Sequence, residues 1–152
     1  MMRKLIIATH GTFAEGIRSS LSVLTGGTER IDVINAFIEG GENNPKEAML
    51  NIINNTPAEQ EILILTDLYG GSVNNIATLL INESGRNNLH VVAGINLALV
   101  AELLLNMDDV LTPQTIHEVI EQAKGGIKYM NEEFAEALAS TPAGVEEDFF
   151  KG

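Results

Sequence analysis

The chain has 152 residues, 45% of them hydrophobic and 20% charged, which is enough to enclose one substantial core and too few for two ordinary domains. Its 21 acidic residues against 9 basic ones leave a formal net charge of -12, which disfavours nucleic acid and anionic membrane surfaces as partners and favours a basic protein. Cysteine is absent, so disulfide and thiolate chemistry are excluded, in keeping with a reducing, cytoplasmic setting.

The first apolar run stops at Thr9-His10-Gly11. That is too short for the hydrophobic segment of a signal peptide, and it reads as a strand over residues 4–9. Further strand patterns fall at residues 31–37, 61–66 and 89–93, each followed by a segment of helical period. The near-continuous apolar strings within them suit strands buried on both faces. The expected fold is therefore α/β: a doubly wound, open parallel sheet with helices on both faces. The later apolar stretch, residues 95–105, is interrupted by Asn96 and Glu102 and falls well short of a bilayer span, so no direct membrane insertion is expected.

Helix boundaries are marked locally. Asn44-Pro45 and Thr112-Pro113 place proline in a first turn, and Ser72 opens a helix after a Gly-Gly pair. Gly26-Gly27, Gly85 and Gly125-Gly126 are stops. Gly40-Gly41-Glu42-Asn43 reads as a turn in preference to a rim loop. Ile127-Lys128-Tyr129-Met130 suits either a short strand or a resumed helix. Beyond it, Pro142, Gly144 and the run Glu146-Glu147-Asp148 mark an acidic tail, giving a domain over residues 1–139 and a tail over 140–152 that Phe149 and Phe150 could dock.

In an open α/β sheet, ligands bind outside the carboxyl ends of the strands where connections diverge. The first strand ends in Thr9-His10-Gly11-Thr12, the third in Thr66-Asp67-Leu68-Tyr69-Gly70-Gly71-Ser72. A strand order of 2-1-3-4 brings His10 and Asp67 together. An aspartate accepting from one ring nitrogen fixes the tautomer and leaves the other nitrogen's lone pair free to attack. The helix opening at Gly71-Ser72 offers N–H groups and a dipole end to an anion, and Thr12 adds a second hydroxyl beside Ser72. The constellation points to phosphoryl transfer through His10, with Asp67 orienting it and Thr12, Gly71 and Ser72 holding phosphate. No P-loop or metal-ligand spacing is present and no cofactor is required. His90, inside a strand, and His117, beside Glu118 and Glu121 on a helix, are assigned to structure.

Three blocks, Ala8-Thr9-His10-Gly11, Thr66-Asp67-Leu68-Tyr69-Gly70-Gly71-Ser72 and Ala93-Gly94-Ile95-Asn96-Leu97, closely resemble those of mannose-family enzyme IIA components of the sugar phosphotransferase system. The resemblance implies a four-stranded parallel sheet and a homodimer in which a short C-terminal strand, here residues 127–130, is exchanged antiparallel between subunits. It implies His10 as the phosphorylated residue, supplied by HPr and discharged to a IIB component that serves IIC and IID membrane subunits. Val73 and Ala98-Leu99 stand where the family commonly has Pro and Pro-Met, which leaves the sugar class open. The rivals are a dihydroxyacetone-kinase-associated phosphocarrier and a regulatory module of the same fold. A receiver domain fits poorly, because Thr9-His10 replaces the acidic pair it needs. For any carrier the pocket should be shallow and rimmed by apolar residues such as Phe13, Leu68, Tyr69 and Leu97.

Overall fold

The computed structural model describes residues 3–105 and 110–140. Its strands are β1 (Lys4–His10), β2 (Ile31–Ala36), β3 (Ile62–Thr66) and β4 (Leu89–Ala93), and its helices are α1 (Phe13–Thr25), α2 (Pro45–Asn55), α3 (Ser72–Glu83), α4 (Leu97–Leu105), α5 (Pro113–Gly125) and α6 (Met130–Ser140). The strands hydrogen-bond in the order β2-β1-β3-β4, every pair parallel, as the sequence led us to expect.

The two-residue period of the strands builds two cores. Leu5 and Ile7 of β1 and Leu63 and Leu65 of β3 project to one face, against Ile17 and Leu21 of α1 and Leu99, Val100 and Leu103 of α4. Ile6, Ala8, Ile62 and Ile64 project to the other, against Met49 and Ile53 of α2 and Val73, Ala77 and Leu80 of α3. With both faces covered, β3 is buried along its whole length, which is why ILILT carries no polar alternation. Each buried aliphatic side chain of this kind contributes about 1.5–3 kcal/mol, so the central strands are the rigid base of the molecule.

The loops are held by specific side chains. Asn44 accepts the Glu47 N–H ahead of Pro45, and Thr112 forms a reciprocal cap with Thr115 ahead of Pro113. Arg86, in the α3–β4 connection, donates to the carbonyls of Thr56, Pro57 and Gln60 at 3.0, 2.8 and 2.6 Å. One guanidinium thus satisfies the chain leaving α2 and clasps two adjacent connections.

The strand boundaries differ from expectation by single residues, β3 for example beginning at Ile62. β1 runs on to His10, and β2 stops at Ala36 because Phe37 adopts a left-handed backbone, φ 62°. The resemblance implies a fifth strand over residues 127–130 laid on a partner's sheet; in the single chain these residues pair with no strand, the sheet has four strands among the described residues, and Met130 opens α6. The N–H groups of Gly126 and Ile127 turn back onto the carbonyls of Ala123 and Lys124, and Glu132 and Glu133 in the first turn of α6 favour the helix. Of the tail, Ser140 closes α6, and residues 141–152, with Phe149 and Phe150, lie outside the described residues.

Candidate active site

The site lies at the carboxyl ends of β1 and β3, where the chain from β1 departs towards β2 and that from β3 towards β4. Thr9 is fully buried, and its hydroxyl accepts the Ala14 N–H at 2.7 Å, tying the first turn of α1 to the end of the strand. Thr12, the residue before α1, makes no capping bond with its side chain, so its hydroxyl is left at the exposed helix end. Gly11, at φ 61°, makes the intervening bend and donates its N–H to the Ala36 carbonyl at 3.0 Å. His10 is thereby fixed through its neighbours on both sides while its own side chain remains 40% exposed.

Asp67 follows β3 directly, and the pairing of Ala8 with Thr66 sets it level with Thr9, within reach of the next residue, His10. Its Oδ2 accepts the His10 backbone N–H at 2.8 Å and lies 3.0 Å from His10 Nδ1, while Oδ1 accepts the Leu68 N–H at 2.9 Å. Burial pushes the Asp67 carboxyl up. The hydrogen bonds from the His10 backbone and ring and from Leu68, with attraction to the His10 charge, outweigh it and hold the carboxyl below its ordinary value. An ionised carboxylate can only accept, so Nδ1 is the donor and Nε2 of the neutral ring carries the lone pair. Ser72 Oγ stands 3.1 Å from Nε2, and with the lone pair on Nε2 the hydroxyl is the donor.

Ser72 also opens α3. The first bond of that helix runs from Asn75 N–H to Gly71 carbonyl, so the N–H groups of Ser72, Val73 and Asn74 precede the ladder and project from the helix end beside His10. The Gly71 N–H turns inward to the Leu68 carbonyl at 3.0 Å. The tightness of that turn brings His10 Cε1 within 3.5 Å of where a Gly71 Cβ would stand, and Leu68 Cβ within 3.1 Å. Glycine therefore lets the helix end approach the imidazole.

Three positioning residues escaped the sequence reading. Thr9 is one. Asn74 is another: it is buried, accepts the Gly70 N–H at 3.0 Å and donates to Thr66 Oγ1 at 3.1 Å, pinning the turn that carries Asp67. Its signal was a polar residue on the otherwise apolar inward face of Val73, Ala77 and Leu80. The third, Phe37, had no local signal. Its ring centroid lies 5.9 Å from that of His10, the planes tilted by 43°. A left-handed backbone at a bulky residue costs about 1–2 kcal/mol. The turn that enforces it is tied by Phe37 N–H to Glu42 carbonyl and Glu42 N–H to Asn35 carbonyl. So the glycine-rich segment is a turn, as expected, and it also delivers an aromatic ring to the site.

The expected rim is present: Phe13, Leu68, Tyr69 and Leu97 are all exposed on the segments that leave β1, β3 and β4 at this edge. The other histidines lie elsewhere. His90 pairs with Leu63 near the amino ends of the strands, half-buried, where burial pushes its pKa down, Glu61 pulls it up and Arg3 pushes it down. His117 is exposed on α5.

The chain matches the model of the family described as PTS system fructose IIA component over residues 4–124, from the start of β1 almost to the end of α5. It is 29% identical over 103 residues to the PTS system fructose-specific EIIA component of Bacillus subtilis (strain 168), covering 68% of this chain and 69% of that protein. Its fold superposes on that of phosphotransferase system component EIIA from Streptococcus agalactiae with a TM-score of 0.74 and 32% identity, covering 86% of this chain and 99% of that one. The PTS IIA protein associated with the fucose utilization operon of Streptococcus pneumoniae gives a TM-score of 0.72 and 25% identity, over 88% and 96% of the two chains. With a family model spanning the whole sheet and its crevice, this chain belongs to the mannose-type enzyme IIA components of the sugar phosphotransferase system.

Proposed function

We propose that the chain carries a phosphoryl group on Nε2 of His10, accepts it from phosphorylated HPr, and passes it to a IIB component coupled to IIC and IID membrane subunits in sugar uptake. The observation that carries this reading is the position of His10 between Asp67 on Nδ1 and Ser72 on Nε2.

In the forward step the Nε2 lone pair attacks phosphorus, the bond from phosphorus to the donor nitrogen breaks, and its electron pair stays with the donor. The His10 ring then bears positive charge, and Nδ1–H remains on Asp67, whose carboxylate neutralises it. No proton has to leave the ring. Ser72 must release Nε2 before the attack, after which its hydroxyl is free to donate to a phosphoryl oxygen. The N–H groups at the start of α3 and the Thr12 hydroxyl complete the cradle, and Gly71 contributes by allowing the close approach. Discharge to IIB reverses these steps. The exposed rim of Phe13, Leu68, Tyr69 and Leu97 suits two successive, short-lived partners. Fructose and fucose both occur in the names of similar proteins, and a site built around a phosphoryl group contains nothing that selects between sugars.

The test is a relay followed by intact mass: the chain is incubated with phosphoenolpyruvate, enzyme I and HPr, each omitted in turn. Phosphorylation that needs all three, and that is discharged on adding a IIB component, is expected. Phosphorylation that persists without HPr would overturn HPr as the donor.

A further inference from the structure

The single bulky residue with a left-handed backbone among the described residues stands directly against the reactive ring, and this coincidence asks for a cause. Phe37 is half exposed, so its position is not explained by core burial. Its backbone, at φ 62°, is one that phenylalanine resists and glycine accepts. The turn behind it leaves no freedom: a Cβ on Gly41 would come within 2.3 Å of the Asn35 carbonyl oxygen, so the chain there is pressed onto β2. The consequence of this arrangement is an aromatic ring held 5.9 Å from the His10 imidazole. Strain kept at a site by a rigid surround, with no packing gain to explain it, points to a role at that site.

We infer that Phe37 is a positioning residue that shields phosphorylated His10 from water, prolonging the life of the phosphohistidine between its two partners. This rests on the phosphocarrier reading of His10. The reaction to be suppressed is hydrolysis: a water oxygen bonds to phosphorus, the Nε2–P bond breaks, its electron pair returns to Nε2, and both water protons leave with inorganic phosphate. The group within hydrogen-bond reach of Nε2, the Ser72 hydroxyl, is polar, and such groups order water as readily as phosphate. The Phe37 ring covers part of the same imidazole with a surface that offers water no hydrogen bond. It also leans on the ring that Asp67 holds by one edge only, and so limits its swing.

The test uses the full-length protein phosphorylated chemically with phosphoramidate, which needs no partner protein, and follows loss of the phosphoryl group by intact mass at neutral pH. Phe37→Gly and Phe37→Ala should lose it about tenfold faster than the wild type, while Phe37→Tyr keeps the wild-type lifetime. Phe37→Gly should at the same time melt at the same temperature or higher, since glycine relieves the backbone. Stability and lifetime moving in opposite directions separates shielding from a structural role. Equal lifetimes in all four proteins would overturn the inference while leaving His10 as the carrier. Failure of the wild type to take a phosphoryl group at His10 from either phosphoramidate or HPr would overturn the carrier reading, and this inference with it.

Discussion

Replacing Asp67 by Asn keeps the shape of the side chain and removes its charge and one acceptor. In the structure Oδ2 serves two donors of His10, at 2.8 and 3.0 Å, and Oδ1 serves the Leu68 N–H at 2.9 Å. An amide has one oxygen. Turned towards His10, it sets its NH2 against the Leu68 N–H; turned towards Leu68, it sets the NH2 against both His10 donors and drives the ring to the wrong tautomer. The stability cost should be about 1–2 kcal/mol, because water can reach this edge of the sheet and replace part of what is lost. The effect on chemistry should be larger. Phosphorylation places positive charge on the ring, and the lost charge-assisted bond, about 1.5–3 kcal/mol, acts on the charged state more than on the neutral one. The single-turnover rate of phosphorylation by phospho-HPr, read by quench and intact mass, should therefore fall about 10- to 150-fold. Asp67→Ala should behave similarly with the fold intact. Rates within twofold of wild type in both variants would refute the assignment of Asp67 as the group that orients and neutralises His10.

Gly71→Ala should slow phosphorylation about tenfold with little change in melting temperature, because the new Cβ would stand 3.1 Å from Leu68 Cβ and shift the turn that carries Ser72 towards His10. Arg86→Ala should lower stability in urea by about 1–3 kcal/mol and leave phosphorylation unchanged, since its carbonyl partners, including Thr56, Pro57 and Gln60, belong to connections at the other end of the sheet. His90 titrates below its ordinary value of 6.5 in the folded chain, so the unfolded chain takes up the proton first. Its contribution is complete above that value and is lost as pH falls through it towards the folded pKa. Urea midpoints at about pH 8 and about pH 5 should diverge more in the wild type than in His90→Gln, and an equal divergence would remove His90 as a source of the acid sensitivity.

Much of this was legible before any coordinates. The strings LIIA and ILIL can be apolar throughout only in strands covered on both faces, and parallel order with divergent connections then forces His10 and Asp67 to one crevice. Motif chemistry marked Ser72 as well, as a hydroxyl at a helix start that two glycines open to an anion. What stayed hidden depends on long-range register or on backbone angles. Phe37 reaches His10 because Ala36 pairs with it across β1 and β2 and because the next residue turns left-handed. No local pattern encodes either fact. Asn74 shows in the sequence as a polar residue on an apolar helix face, but the turn it pins depends on contacts to Gly70 and Thr66 that no local pattern encodes. Residues 127–130 were ambiguous for a physical reason: a four-residue segment takes its conformation from what it meets, and within one chain residues 127–129 form an irregular link while Met130 joins the acidic first turn of α6. Exchange of that segment between two subunits remains a proposal drawn from the family, testable by whether removing it abolishes a dimer.

The most direct measurement is site-resolved phosphorylation: the chain is charged through enzyme I and HPr at mildly basic pH, and the position of the phosphoryl group is read by mass spectrometry and phosphorus NMR in the wild type and in His10→Ala. One acid-labile phosphoryl group on Nε2 of His10, absent from the variant, is the expected result. A phosphoryl group that persists in His10→Ala, or one that sits on Nδ1 where Asp67 should block it, would contradict the proposed chemistry at its centre.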